Sequence, residues 1–151
     1  VDGQATFALL IEGNGPDLAR LHAQCFPLPW SPESFEELLR NDAVHASGAW
    51  AGRTLVAALL VQCAGDTADI VTLMTAPSMR QQGLSKELMR LFLRDFLQHP
   101  QKTCFLEVAQ DNIPALELYK SLNFKVCGAR KDYYDGPHGS RDAWVLRLGR
   151  T

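Results

Sequence analysis

"MRQQGLSKELMRLFLRDFL", Met79 to Leu97, sets three polar residues and a glycine directly before a strong helical pattern. Gly83 and Ser85 both weaken helix propagation relative to alanine, yet they stand where this helix begins. A helix N-terminus carries unpaired N–H groups and a partial positive charge, and small side chains let an anion approach closely. Phosphate is the natural occupant, with Arg80 and Lys86 flanking the turn as partners for charge-assisted contacts. A plain strand-to-helix turn would use Gly83 equally well, so the stretch alone leaves both readings open.

Outward from this turn the chain alternates strands and helices. Leu84, Leu88, Leu91, Phe92 and Phe96 recur on one helical face, and the helix must stop before Pro100. Upstream, "TFALLIE" reads as a strand and "PDLARLHAQCF" as a helix carrying Leu18, Leu21 and Cys25. "WSPESFEELLRN" follows as a second helix, with Ser31 as N-cap, Pro32 at the first position and Phe35, Leu38 and Leu39 as its apolar stripe. "VHASGAWA", "TLVAALLVQC" and "ADIVTLMT" then form an antiparallel meander, broken at Gly52-Arg53 and at Ala64 to Thr67. Downstream come the strand "TCFLEVA", the helix "NIPALELYKSL", and a final pair, "FKVCGARK" and "DAWVLRLG", around the loop "DYYDGPHGS". The predicted order is β-α-α-β-β-β-α-β-α-β-β, an α/β (α+β) chain without internal repeat or linker.

Composition excludes several classes. The chain has 151 residues, 46% of them hydrophobic and 21% charged, which suits one domain spanning residues 1–151. A net charge of -2 gives no general attraction to nucleic acid. Cys25, Cys63, Cys104 and Cys127 lack paired spacing and the four histidines are scattered, so neither a metal site nor a redox motif is expected. Leu55 to Val61 is too short to cross a bilayer and no signal segment is visible. The expectation is a cytoplasmic protein with reduced thiols and no membrane attachment, a monomer or weak dimer.

Two further features carry chemistry. Glu107 sits inside the apolar strand "TCFLEVA". Burial there would raise its pKa into the range useful to a general base, whereas a structural carboxylate would be bonded to backbone or to an arginine. Asn112 and Tyr119 are two helical turns apart, so both are expected on one side of their helix, although a buried tyrosine with a satisfied hydroxyl is the commoner role for Tyr119 alone.

Together, "MTAPSMRQQGLSKELM" and "FLEVAQDNIPALELYKSLNF" resemble the acetyl-CoA-binding half of the GNAT superfamily of N-acetyltransferases. The helix-start motif of that superfamily runs Arg or Gln, two residues, Gly, one residue, Gly or Ala; here it is Arg80, Gln81, Gln82, Gly83, Leu84, Ser85. "FPLPWS", "LEV", "LYKSLNF" and "DYY" extend the likeness to the RimI-type subgroup, which acetylates the N-terminal alanine of a small-subunit ribosomal protein. The resemblance implies a mixed, largely antiparallel central sheet of about seven strands flanked by about four helices.

The resemblance also implies roles. Leu73, Met74 and Thr75 would offer backbone groups to the acetyl carbonyl and pantetheine arm, and the backbone from Gln81 to Lys86 would hold the pyrophosphate of acetyl-CoA. Glu107 matches the general base, Asn112 a cofactor-contacting asparagine, and Tyr119 the phenol that protonates the departing thiolate. Trp30 and Tyr134 match walls of a slot for the acceptor protein's N-terminus. A protein N-terminal amine is largely protonated below its pKa of about 7.7 to 8.0, so a base must act before it attacks the thioester. No enzyme nucleophile is needed, and Cys104 is expected on the face opposite Glu107. Phe26, in the same "FPLPW" segment, is expected to plug the core, while Glu33, Glu36, Asp132 and Asp135 would rim the slot and favour a basic peptide.

Ser85 stands where Gly or Ala is usual, and Gln81 and Gln82 where arginines are frequent, so fewer cations face the phosphates. Arg141 replaces a common carboxylate, which alters the charge expected around the slot. Two other functions remain compatible with the sequence: acetylation of a small-molecule amine, and acetyl-CoA binding without turnover.

Overall fold

Seven consecutive residues of one strand, Leu55 to Val61, are buried, which requires cover on both faces of the sheet. That strand, β3 (Thr54–Ala64), is central to a seven-stranded sheet ordered β1-β2-β3-β4-β5-β7-β6. Its neighbours are β1 (Thr6–Leu9), β2 (Val44–Ala51), β4 (Thr67–Thr75), β5 (Thr103–Ala109), β6 (Lys125–Gly136) and β7 (Gly139–Gly149). The four α-helices are α1 (Gly15–Cys25), α2 (Pro32–Arg40), α3 (Leu84–Phe96) and α4 (Ile113–Ser121), in the order the sequence predicts. The computed structural model describes residues 4–136 and 139–149, with side chains given except within 132–141.

All strand pairs are antiparallel except β4 with β5. Parallel neighbours need a crossover, supplied by α3. The pair is short: only Thr67, Ala68 and Asp69 are matched, to Thr103, Cys104 and Phe105. Beyond Asp69 the strands part. A register shift against β3, where Leu60 faces Thr72 but Val61 faces Ile70, leaves Val71 as an extra residue in β4. Such a bulge bends its strand, and here it lies where β4 leaves β5.

Helices α1 and α2 pack together, α1 over β3 and β4; α3 packs over β2, β3 and β4. Leu18, Leu21 and Phe35 are essentially fully buried. On α3 the buried stripe is Leu84, Leu88, Met89, Leu93 and Phe96, so Met89 and Leu93 take the places expected for Leu91 and Phe92, which are half-buried. The first strand is also shorter than "TFALLIE", leaving Leu9 and Ile11 exposed.

The largest difference is at the end of the chain. "DYYDG" is not loop but the continuation of β6, and β7 begins at Gly139, with Tyr134 opposite Arg141 and Gly136 opposite Gly139. Among the described residues no helix is long and apolar enough to cross a membrane.

Candidate active site

Three of the four helix N-termini are met by a side chain. Both Glu36 carboxylate oxygens accept from the N–H of Gly13 and one also accepts from Gly15, at the start of α1. Ser31 Oγ accepts from Ser34 at the start of α2 (3.1 Å), and Asn112 Oδ1 from Ala115 at the start of α4 (3.3 Å). Helix α3 has no side-chain cap. Its N-cap is Gly83 in the left-handed region (φ 79), preceded by Gln81 at φ 64. A Cβ added at Gly83 would meet no atom within 4 Å, so the space before these N–H groups is open. A left-handed turn feeding an uncapped helix start gathers backbone donors around one concavity, which suits an anion.

The turn is tied to the end of β4. Ser85 Oγ is hydrogen-bonded to Thr75 Oγ1, and Arg80 Nε donates to the Thr75 carbonyl (3.1 Å), which the Cys25 thiol also approaches (3.4 Å). The hydroxyl of Ser85 is therefore turned towards β4. Ala76 N–H donates to Val56 C=O, which sets the phase of the ladder. By alternation Met74 faces β3, while Leu73 and Thr75 turn their N–H and C=O groups to the gap left by β5. Of the three residues expected to offer backbone groups, Met74 is thus engaged in the sheet, its side chain buried.

Glu107 lines a cleft across this gap with Asp69, Val71, Phe105, Arg130 and Val145. The apolar enclosure expected from "TCFLEVA" is absent: the Glu107 side chain is 27% exposed and ion-paired to Arg130. One nitrogen, Arg130 Nη1, donates to both carboxylate oxygens, at 3.0 and 3.1 Å. Sequence reasoning had raised an arginine partner only in general terms. Arg130 lies two strands away across β7, a neighbourhood that no local pattern announces. Cys104, by contrast, is fully buried as alternation predicts, and burial first, then the Asp69 charge, pushes its thiol up to about 12.

Tyr119 is buried, its ring edge-on to Phe124 (5.8 Å), in the core with Leu106, Val108 and Leu146. Strand alternation sets Glu107 on the face opposite Leu106 and Val108. Asn112 is exposed and stands outside the helix as its cap rather than two turns below Tyr119 on a shared helical face.

Trp30 is 41% exposed and stacks on His22 (4.9 Å). The Trp30 N–H donates to His22 Nδ1 (3.1 Å), folding "FPLPW" back onto α1. Burial lowers the pKa of His22. Phe26 does not plug the core: it is 38% exposed and stacks on His22, whose ring is buried together with Phe35. Glu36 is occupied by the start of α1, which leaves Glu33 as the exposed acid of the pair. Asp132, Tyr134, Asp135 and Arg141 have side chains outside the described residues. Among the described residues no three His, Cys, Asp or Glu side chains are grouped as a metal site requires.

The model of the Acetyltransferase (GNAT) family matches residues 15–124, from α1 to the residue before β6. The chain belongs to the GNAT acetyltransferase family. This acetyltransferase is 33% identical to the N-alpha-acetyltransferase RimI of Mycobacterium tuberculosis over 148 residues, covering 94% of this chain and 90% of that one. It is 26% identical to the ribosomal protein bS18-alanine N-acetyltransferase of Escherichia coli, covering 88% and 89%. Among solved structures, the ribosomal-protein-S18-alanine N-acetyltransferase of Escherichia coli superposes with a TM-score of 0.88 at 23% identity, over 97% of this chain and 96% of that one. NAA60 of Arabidopsis thaliana, solved with acetyl-CoA, gives 0.81 at 17% identity, over 95% and 97%. These two structures share the acetyltransferase's fold.

Proposed function

We propose that this acetyltransferase moves the acetyl group of acetyl-CoA directly to the N-terminal alanine amine of a protein of the small ribosomal subunit type. The observation that carries the reading is the gap between β4 and β5, with the uncapped start of α3 beside it and the Glu107 carboxylate across it. The names of the relatives in Mycobacterium tuberculosis and Escherichia coli support the choice of a protein α-amine.

The pyrophosphate of acetyl-CoA lies against the backbone from Gln81 to Lys86, with Arg80 and Lys86 adding positive charge. Because Met74 is engaged with β3, the N–H groups of Leu73 and Thr75 serve the thioester carbonyl and the pantetheine arm, and Asn112 contributes its amide nitrogen. Glu107, directly or through water, takes a proton from the acceptor ammonium. The amine attacks the thioester, the same strand N–H groups stabilise the oxyanion, and Tyr119 protonates the sulfur as it leaves. Trp30 and Tyr134 wall the acceptor slot.

One observation favours a second acceptor. Asp69 and Glu107 line the same cleft, and two carboxylates also suit a small polyamine. Purified protein is incubated with acetyl-CoA and, separately, with N-terminal alanine peptides, spermidine and free lysine, while thiol release is followed. Higher kcat/KM for an alanine peptide is expected; higher efficiency for spermidine or lysine would replace the protein acceptor with a small amine.

A further inference from the structure

The Glu107–Arg130 pair links two strands that are not neighbours. Glu107 is on β5 and Arg130 on β6, with β7 between them. Glu107 shares a row with Val145 and Gly128, and Arg130 lies in the next row opposite Ala143. Two strand spacings amount to about 9.5 Å, a distance an extended arginine spans over short side chains.

Stability does not account for the arrangement. The Arg130 side chain is 58% exposed, and exposed ion pairs contribute little to folding. The contact also has a particular form. A side-on fork would use two guanidinium nitrogens, whereas here Nη1 bridges both oxygens. The contact anchors the position of the carboxylate across β7, both oxygens lying within 3.1 Å of one guanidinium nitrogen.

We propose that Arg130 is a positioning residue for acetyl transfer, holding the Glu107 carboxylate across the cleft in the orientation from which it accepts the acceptor amine's proton. The inference rests on the reading of Glu107 as the base. It assigns Arg130 no contact with acetyl-CoA. Its loss should therefore appear in kcat and not in CoA affinity, since small displacements of a reacting group cost rate steeply.

The test is a double-mutant cycle with whichever amine the acetyltransferase turns over fastest. Arg130→Met and Arg130→Lys are made in the wild-type and Glu107→Gln backgrounds, and kcat, KM, CoA affinity by calorimetry and melting temperature are measured. Arg130→Met should lower kcat about tenfold in the wild-type background, with CoA affinity and melting unchanged, and Arg130→Lys should recover part of the loss. In the Glu107→Gln background Arg130→Met should have no further effect, because its only route to the chemistry is gone. An equal loss in both backgrounds, an unchanged kcat, or a loss confined to CoA affinity would overturn the proposal. If Arg130→Met melts early, the Arg130→Lys cycle decides by the same comparison. Wild-type activity in Glu107→Gln alone would remove the base itself, and the positioning role with it, a failure distinct from additivity.

Discussion

The hydroxyl of Ser85, in the first turn of α3, is hydrogen-bonded to the hydroxyl of Thr75, at the end of β4. This bond joins the two elements between which acetyl-CoA is proposed to lie, and it turns the Ser85 hydroxyl towards β4. Ser85→Ala should therefore cost about 1 kcal/mol of stability, the net worth of one hydrogen bond, while CoA affinity changes by less than about threefold. Calorimetry and chemical denaturation check both. A tenfold loss of affinity at unchanged stability would mean that the hydroxyl serves the phosphate.

Gly83 predicts the reverse balance. Its φ of 79 is left-handed, and no atom lies within 4 Å of an added Cβ. Gly83→Ala therefore meets strain without a clash, about 1–2 kcal/mol, and that strain falls on the turn proposed to hold the anion. CoA affinity should fall by about tenfold or more. Unchanged affinity by calorimetry would place the phosphates elsewhere.

His22 links acidity to the "FPLPW" segment. Its ring accepts from Trp30 N–H, stacks with Trp30, and is only 3% exposed, and burial lowers its pKa. Folding therefore favours the neutral ring. The associated stability is present above the unfolded value of about 6.5 and is lost as pH falls through the lower folded value. Denaturation midpoints should drop between pH 7.5 and 5.5, with a change in tryptophan fluorescence, and the drop should shrink in His22→Gln. An identical pH dependence in the variant would disconnect His22 from it.

Glu107→Gln should leave CoA binding nearly intact and lower turnover by about 10²-fold, the typical contribution of a general base. Steady-state kinetics across pH 6 to 9 check this. A variant as fast as the wild type over that range would take Glu107 out of the mechanism.

Much of this was legible because it is local. The strand-to-helix turn at Gly83, the cap at Ser31 and the element order all follow from residues adjacent in sequence. What escaped depends on pairing between distant segments. The Glu107–Arg130 contact exists only because β7 inserts between β5 and β6. Glu36 reads as a surface acid of α2 until the loop before α1 brings Gly13 and Gly15 to it. "DYYDGPHGS" has the composition of a loop, yet pairing with β7 draws its first five residues into a strand. Phe26 reads as core until Phe35 fills that place and leaves it on the surface of the His22 cluster.

The direct claim is transfer to a protein α-amine, and locating the acetyl group tests it. A peptide beginning with alanine and carrying internal lysines is incubated with acetyl-CoA and the acetyltransferase, then fragmented in a mass spectrometer. Acetyl on the alanine nitrogen alone is the predicted result. Acetyl on lysine side chains with the N-terminus unmodified would contradict it.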